Sequence, residues 1–155
     1  MATIEAPGEK IAVGDLVYEA EGHFTEIVDY GMSLEESMSG KPLPAAGIKL
    51  DVAFEGTVTG LLEGTFSGVD YLYTRADGVD ELHIHGCLIT TDGARIAVFA
   101  TGTVSANESG HERLFEHVRL HTNFERYQWV NGLAVRGEGT VDPGAGTPQV
   151  RAYAA

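Results

Sequence analysis

Alternating apolar and polar residues, interrupted at short intervals by glycine-containing turns, most limit what this chain can fold into. The segment Ile48–Glu55 places apolar side chains at every second position, with Lys49 and Asp51 between them. Because a β-strand repeats every two residues, this pattern predicts a strand with one buried face. The segments ADG at 76–78 and TDGA at 91–94 are typical of hairpin turns.

Similar segments recur along the chain, and many antiparallel strands at short spacing indicate a sandwich or a closed barrel. Gly64 and Gly68 predict a bulge or sharp bend. Helix is expected only as one or two short turns, in the capping-box segment from Ser33 to Glu36 and at 126–131. The predicted strands are Leu16–Ile27, strands that include Ile48 and Val69, Glu81–Thr90, Arg95–Val104, His117–Glu125, Leu133–Val141 and Gln149–Ala154.

Size and charge restrict the classes of partner. The 155 residues fit one domain, 1–155, in which 1–12 is expected to be flexible or to cover a sheet edge. The net charge of −13 disfavours binding to nucleic acid or to an anionic membrane surface. The N-terminus lacks the pattern of a secretion signal, and no apolar run is long enough to span a bilayer, so a cytoplasmic protein is expected.

A histidine pair raises the question of a metal site. Glu81, His83 and His85 share one face of a predicted strand, an arrangement that can present two imidazoles to one metal. Leu82 and Ile84 occupy the opposite, apolar face, which should point into a barrel. The histidines should therefore face outward, and neither a metal nor another cofactor is expected.

The segment Val69–Thr74 carries the candidate catalytic residues. Tyr71 and Tyr73 share one face and Asp70 lies on the other, and the pattern leaves open which face is inward. A common site requires the bend at Gly68 to turn the strand. The three would supply an acid, a base and a hydrogen-bond donor. The acidic neighbours Asp80 and Glu81 look like solvated loop charges. Candidate substrate-binding residues are Tyr18 and Phe54 on strand faces, with Tyr127 and Trp129 as a barrel lid.

Two segments resemble the bacterial β-barrel family known as domain of unknown function 3237. They are residues 64–98, with DGV-x-x-L and TTDGA, and residues 122–141, with Y-x-W-V-N. The resemblance implies a single antiparallel eight-stranded, calycin-like barrel and implies little about activity.

Three functions remain open. The first is a cofactor-independent isomerase, cyclase or lyase that acts on an apolar or aromatic small molecule in the barrel lumen. The second is a lipocalin-type binding protein without chemistry, and the third is a filled barrel with a role in self-assembly. An empty pocket with an unpaired carboxylate or tyrosine would favour the first. A homo-oligomer, most simply a dimer, is expected because apolar residues such as Phe99 should lie on the outer surface.

Overall fold

The computed structural model describes residues 4–6, 9–106 and 112–155. Part of the segment 1–12 therefore lies outside the described residues. Within the rest, β1 (Ile4–Ala6) and β2 (Glu9–Ile11) pair in a two-stranded antiparallel ladder. No helix within the described part of the chain is both long and apolar enough to cross a membrane.

Eight antiparallel strands form one closed barrel, in the order β10-β3-β4-β5-β6-β7-β8-β9, which confirms the predicted fold class. Alternating side chains point into the lumen and out to the surface, as the period of two requires. The barrel strands are β3 (Leu16–Asp29), β4 (Ile48–Gly60), β5 (Gly64–Thr74), β6 (Asp80–Thr90), β7 (Arg95–Ala106), β8 (Glu112–His121), β9 (Val135–Asp142) and β10 (Thr147–Ala154).

The bulge predicted at Gly64–Gly68 is not formed. Strand β5 pairs with β4 in one continuous register from Gly64 to Thr74, whereas β3 shifts its register between Phe24 and Glu26. Gly68 instead allows two strands to approach closely, since a Cβ there would lie 2.5 Å from the carbonyl oxygen of His85.

The helical turns lie where the sequence predicts them. Helix α1 (Leu34–Ser37) begins after Ser33, whose side chain and that of Glu36 form the capping box. A 3₁₀ helix (Glu125–Gly132) connects β8 to β9. Strand β8 begins before the predicted His117 and ends at His121, a shift that changes which side chains enter the lumen.

The two ends of the barrel differ. At the end here called the helix end, the 3₁₀ helix and the turns at 61–63 and 91–94 connect the strands. The opposite end, called the loop end, carries the connections 30–47, 75–79 and 143–146. The helix end is filled by fully buried apolar side chains, among them Val17, Leu62, Ile96 and Val130.

Candidate functional site

A cavity of about 150 Å³ occupies the lumen. Its walls are mainly apolar and come from inward positions on all eight barrel strands, and Leu34 of α1 lies at the loop end. Representative wall residues are Val52, Phe54, Phe66, Leu82 and Ala100. The lumen is therefore mainly apolar and partly empty.

Four carboxyl groups line this apolar cavity, at two depths. Asp80 and Glu112 begin β6 and β8 at the loop end and are here called the mouth pair. Asp70 on β5 and Glu116 on β8 lie deeper in the barrel, further from the loop end, and are called the deep pair. Within each pair the charge of the aspartate raises the pKa of the glutamate, in addition to the larger effect of burial.

Asp70 is held by the sheet itself. Its Oδ1 accepts a hydrogen bond of 2.9 Å from the backbone N–H of His83. The β5–β6 ladder is interrupted at this point: it runs to the pair Asp70–Ile84 and resumes at Tyr73–Glu81. Burial raises the pKa of Asp70 to about 6, and the hydrogen bond from His83 opposes part of that increase.

Glu116 is the most isolated of the four carboxyl groups. Its residue is only 6% exposed, and no group among the described residues donates a hydrogen bond to its carboxylate. A Cβ at Gly137 would lie 2.6 Å from Glu116 Cγ, so glycine on β9 provides the space for this side chain. Burial, followed by the charge of Asp70, raises the pKa of Glu116 to about 7.

Tyr18 lines the same cavity as Glu116 and lies close enough for the charge of Glu116 to act on it. The two residues belong to one row of paired positions, Glu116–Gly137–Ala152–Tyr18, whose two middle members are small. Tyr18 is buried and lines the cavity, and burial, then the charge of Glu116, raises the pKa of its hydroxyl. The row places a phenol near a carboxyl group at the deep end of the cavity.

The structure does not bring the three sequence-predicted catalytic residues together. Asp70 points into the lumen, but Tyr71 is 44% exposed on the outer surface, near Lys49. The Tyr73 hydroxyl donates a hydrogen bond of 2.8 Å to the carbonyl oxygen of Ala46, in the connection before β4. Because β5 has no bulge, its period of two keeps the tyrosines opposite Asp70.

The predicted substrate-binding residues separate in the same way. Tyr18 and Phe54 line the cavity. Tyr127 and Trp129 lie in the 3₁₀ helix and pack against the apolar cluster of the helix end, and the Tyr127 hydroxyl donates a hydrogen bond of 2.8 Å to Asp92. They cover the barrel as a lid would, but on the side away from the mouth pair.

The histidine pair lies outside the lumen. His83 and His85 are exposed, and the His85 ring makes edge contacts with Tyr71 and Phe99. Within the described ranges, no group of three or more His, Cys, Asp or Glu residues is arranged to hold a metal ion. Phe99 is 38% exposed, and the expected dimer stays a prediction that light scattering can test.

Sequence reasoning missed three of the four carboxyl groups. Asp80 was interpreted as a loop charge, yet its side chain lines the cavity and accepts a hydrogen bond from Thr74. Glu112 and Glu116 lie before the predicted start of their strand. The sequence feature that could have identified them is the alternation of the strand. Counting back from Val118 in steps of two places Glu116 and Glu112 on the same inward face.

These features define a class of protein: a closed antiparallel barrel with an apolar lumen that contains buried carboxyl groups. The chain belongs to the family described as "Protein of unknown function (DUF3237)", whose model matches residues 46–155. No curated protein matches the sequence.

Solved structures share the fold at low sequence identity. A β-barrel-like protein from Acinetobacter baumannii has 16% identity and a TM-score of 0.76, over 91% of this chain and 94% of that chain. A conserved protein of unknown function from Rhodopseudomonas palustris has 16% identity and a TM-score of 0.73, over 99% of both. A structure described as an enzyme from Penicillium herquei has 20% identity and a TM-score of 0.62, over 94% and 98%.

Proposed function

We propose that the lumen binds a small apolar or aromatic molecule and that the protein is a cofactor-independent isomerase, cyclase or lyase. The observation that carries this proposal is Glu116, a buried carboxyl group that faces an apolar cavity and has no hydrogen-bond partner among the described residues. A buried polar group of this kind destabilises the fold, so its presence in a ligand-sized cavity favours a functional role. A cytoplasmic location stays a prediction from the sequence.

The deep pair suits acid–base chemistry near neutral pH. Burial raises the pKa of Asp70 to about 6 and that of Glu116 to about 7. Near neutral pH the two groups can therefore exchange protons with a bound molecule, one as the base and the other as the acid. Tyr18 adds a hydroxyl that can orient an oxygen or nitrogen atom of the bound molecule.

The cavity limits the size of the substrate. An apolar protein cavity of about 150 Å³ holds a molecule such as benzene, and the lumen has this volume. The proposed substrate is therefore a single-ring compound or a short branched chain with one or two polar atoms.

A lipocalin-type binding protein is the second candidate, favoured by the predominance of apolar walls such as Val52, Phe66 and Leu82. Such a protein would bind the same molecules without moving a proton. The two functions therefore differ in proton transfer to or from the bound molecule.

Proton exchange in deuterated water tests the proposal. Single-ring ketones and phenols are screened for binding by ligand-observed NMR, and each bound compound is followed for exchange of its carbon-bound hydrogens. We expect exchange with the wild type and a loss of about tenfold or more in Glu116→Gln and Asp70→Asn. Glu21→Gln is the matched control, because Glu21 is an exposed carboxylate on the outer face of β3.

An Ala100→Phe variant identifies binding in the lumen, since Ala100 is a wall residue and a phenyl group there would fill the space. Binding that this variant abolishes, without exchange in any ligand, would favour the lipocalin-type function. If no compound binds to the wild type, or Ala100→Phe leaves binding unchanged, the lumen is not the site.

A further inference from the structure

The described lining of the lumen carries acidic side chains but no basic ones. Among the described residues that line the cavity there is no lysine, arginine or histidine, although four carboxyl groups are present. Basic residues do pair with carboxylates, but on the outer surface, as Lys49 does with Asp51 and Arg151 with Glu19. Within the part of the chain that the structure describes, no basic side chain lines the lumen beside these carboxyl groups.

The surroundings of Glu116 leave space for a counter-ion from outside. The titratable groups that face it are Tyr18 on β3, Asp70 on β5, Asp80 on β6 and Glu112 on its own strand. On the neighbouring strands β7 and β9, and on β10, the row positions are Gly102, Gly137 and Ala152, which carry no polar side chain. With no basic group from the described lining beside it, an ionised Glu116 can be neutralised there by a bound cation or by a proton.

We propose that the lumen selects small organic cations, such as a protonated primary or secondary amine attached to an apolar body of about one ring. The ammonium group lies between the carboxylates of the deep pair, and the apolar walls contact the body. This inference rests on the proposed function, because it names the substrate class of the same cavity. It also gives the mouth pair a role, since Asp80 and Glu112 present negative charge to a cation that enters from the loop end.

The charge of the ligand affects the free energy of binding through the protonation state of Glu116. A cation replaces the proton that an isolated Glu116 retains in the empty lumen and gains a charge-assisted hydrogen bond in an apolar site. An anion of the same size would add negative charge beside the deep pair, whereas a neutral molecule would leave Glu116 protonated. Because a cation favours the ionised carboxyl groups, its binding releases protons and its affinity increases with pH through the pKa of Asp70 and then of Glu116.

Three probes of similar size separate these cases: benzylammonium, benzyl alcohol and benzoate, each titrated calorimetrically at about pH 5 and about pH 8. At the higher pH we expect benzylammonium to bind at least about tenfold more tightly than benzyl alcohol, and benzoate not to bind. Its affinity should fall about tenfold or more at the lower pH. Titration in buffers of different ionisation enthalpy should show proton release at intermediate pH.

The variant Glu116→Gln should reduce the affinity for benzylammonium to that for benzyl alcohol, while the outer-surface variant Glu21→Gln keeps the wild-type preference. Equal binding of benzyl alcohol and benzylammonium at the higher pH, or a preference that survives Glu116→Gln, overturns the cation inference but leaves the lumen as a ligand site. If none of the three probes binds to the wild type, the cation inference is wrong. Absence of binding in the ketone and phenol screen as well would remove the proposed function with it.

Discussion

The helix end and the cavity half of this barrel share the same eight strands but differ in what fills them. At the helix end, Val17, Leu62, Ile96 and Val130 have no exposed surface, and the 3₁₀ helix closes the barrel. Toward the loop end the same strands surround a cavity of about 150 Å³ with four carboxyl groups. A second cluster of buried apolar side chains, among them Leu50, Leu72 and Leu114, packs in this half as well. The halves therefore differ in the buried carboxyl groups and unfilled space that the cavity half retains.

This difference assigns stability and function to separate parts of one lumen. Close-packed apolar side chains are a major favourable contribution to folding, whereas a buried carboxyl group without a partner opposes it. The apolar clusters of the barrel offset the cost of such groups in the cavity half. Truncating an apolar side chain of the helix end should therefore lower stability, whereas neutralising Glu116 in the cavity half should raise it at a pH where this group would be ionised.

The largest effect is expected at the helix end. Leu62→Ala removes a fully buried side chain and should lower the free energy of unfolding by about 2–5 kcal/mol. Leu34→Ala is the matched control, because Leu34 lies at the edge of the cavity and is only partly buried. Urea denaturation of both variants measures the difference. Equal losses would show that the helix end has no special role in stability.

The next effect concerns Glu116 and pH. Burial raises its pKa from 4.5 to about 7, so the folded protein retains a proton that the unfolded chain releases. Its contribution to stability is fully present below about pH 4.5 and is lost as the pH rises through 7, by roughly 3 kcal/mol. Glu116→Gln should remove this part of the pH dependence and be more stable than the wild type at about pH 8.

Urea denaturation across this pH range provides the measurement, with Glu21→Gln as the control that should follow the wild type. A difference between Glu116→Gln and wild type that does not change with pH would contradict the buried position of the carboxyl group.

Gly137 tests whether the space beside Glu116 is required. Gly137→Ala places a methyl group 2.6 Å from Glu116 Cγ, and such overpacking should destabilise the protein by about 1–3 kcal/mol. In a Glu116→Ala background the same substitution should have a much smaller effect. A double-mutant cycle measures this coupling. Additive effects would mean that the strain arises elsewhere, for example at Val150.

The smallest effect is expected on the outer face of β5. Tyr71→Phe retains the ring beside Lys49 and His85 and removes an outward hydroxyl. The free energy of unfolding should change by less than about 0.5 kcal/mol, and binding of lumen ligands should not change. Thermal denaturation and the ligand titrations check both statements. Altered ligand affinity in this variant would reopen a functional role for Tyr71.

The sequence alone determined most of the strands and turns, because the period of two and the turn signals are local properties. That pattern allowed a sandwich or a closed barrel, and the expectation of an eight-stranded barrel came from the family resemblance. Strands β6, β7 and β10 lie within a few residues of the predicted limits, and both helical turns are present. The outward direction of His83 and His85 followed from the apolar residues between them. Asp70 was identified as a candidate, although which face of its strand was inward remained open.

Only the tertiary structure decided which polar groups share the lumen. Asp70 on β5 and Glu116 on β8 are distant in the sequence, yet in the closed barrel both line one cavity and the charge of Asp70 acts on Glu116. A local pattern can assign a residue to a face, but it contains no information about which distant strand stands opposite. The small residues Gly137 and Ala152 between Glu116 and Tyr18 acquire their importance only through the strand register. Register depends on the pairing of whole strands, so the site became visible only once the barrel was assembled.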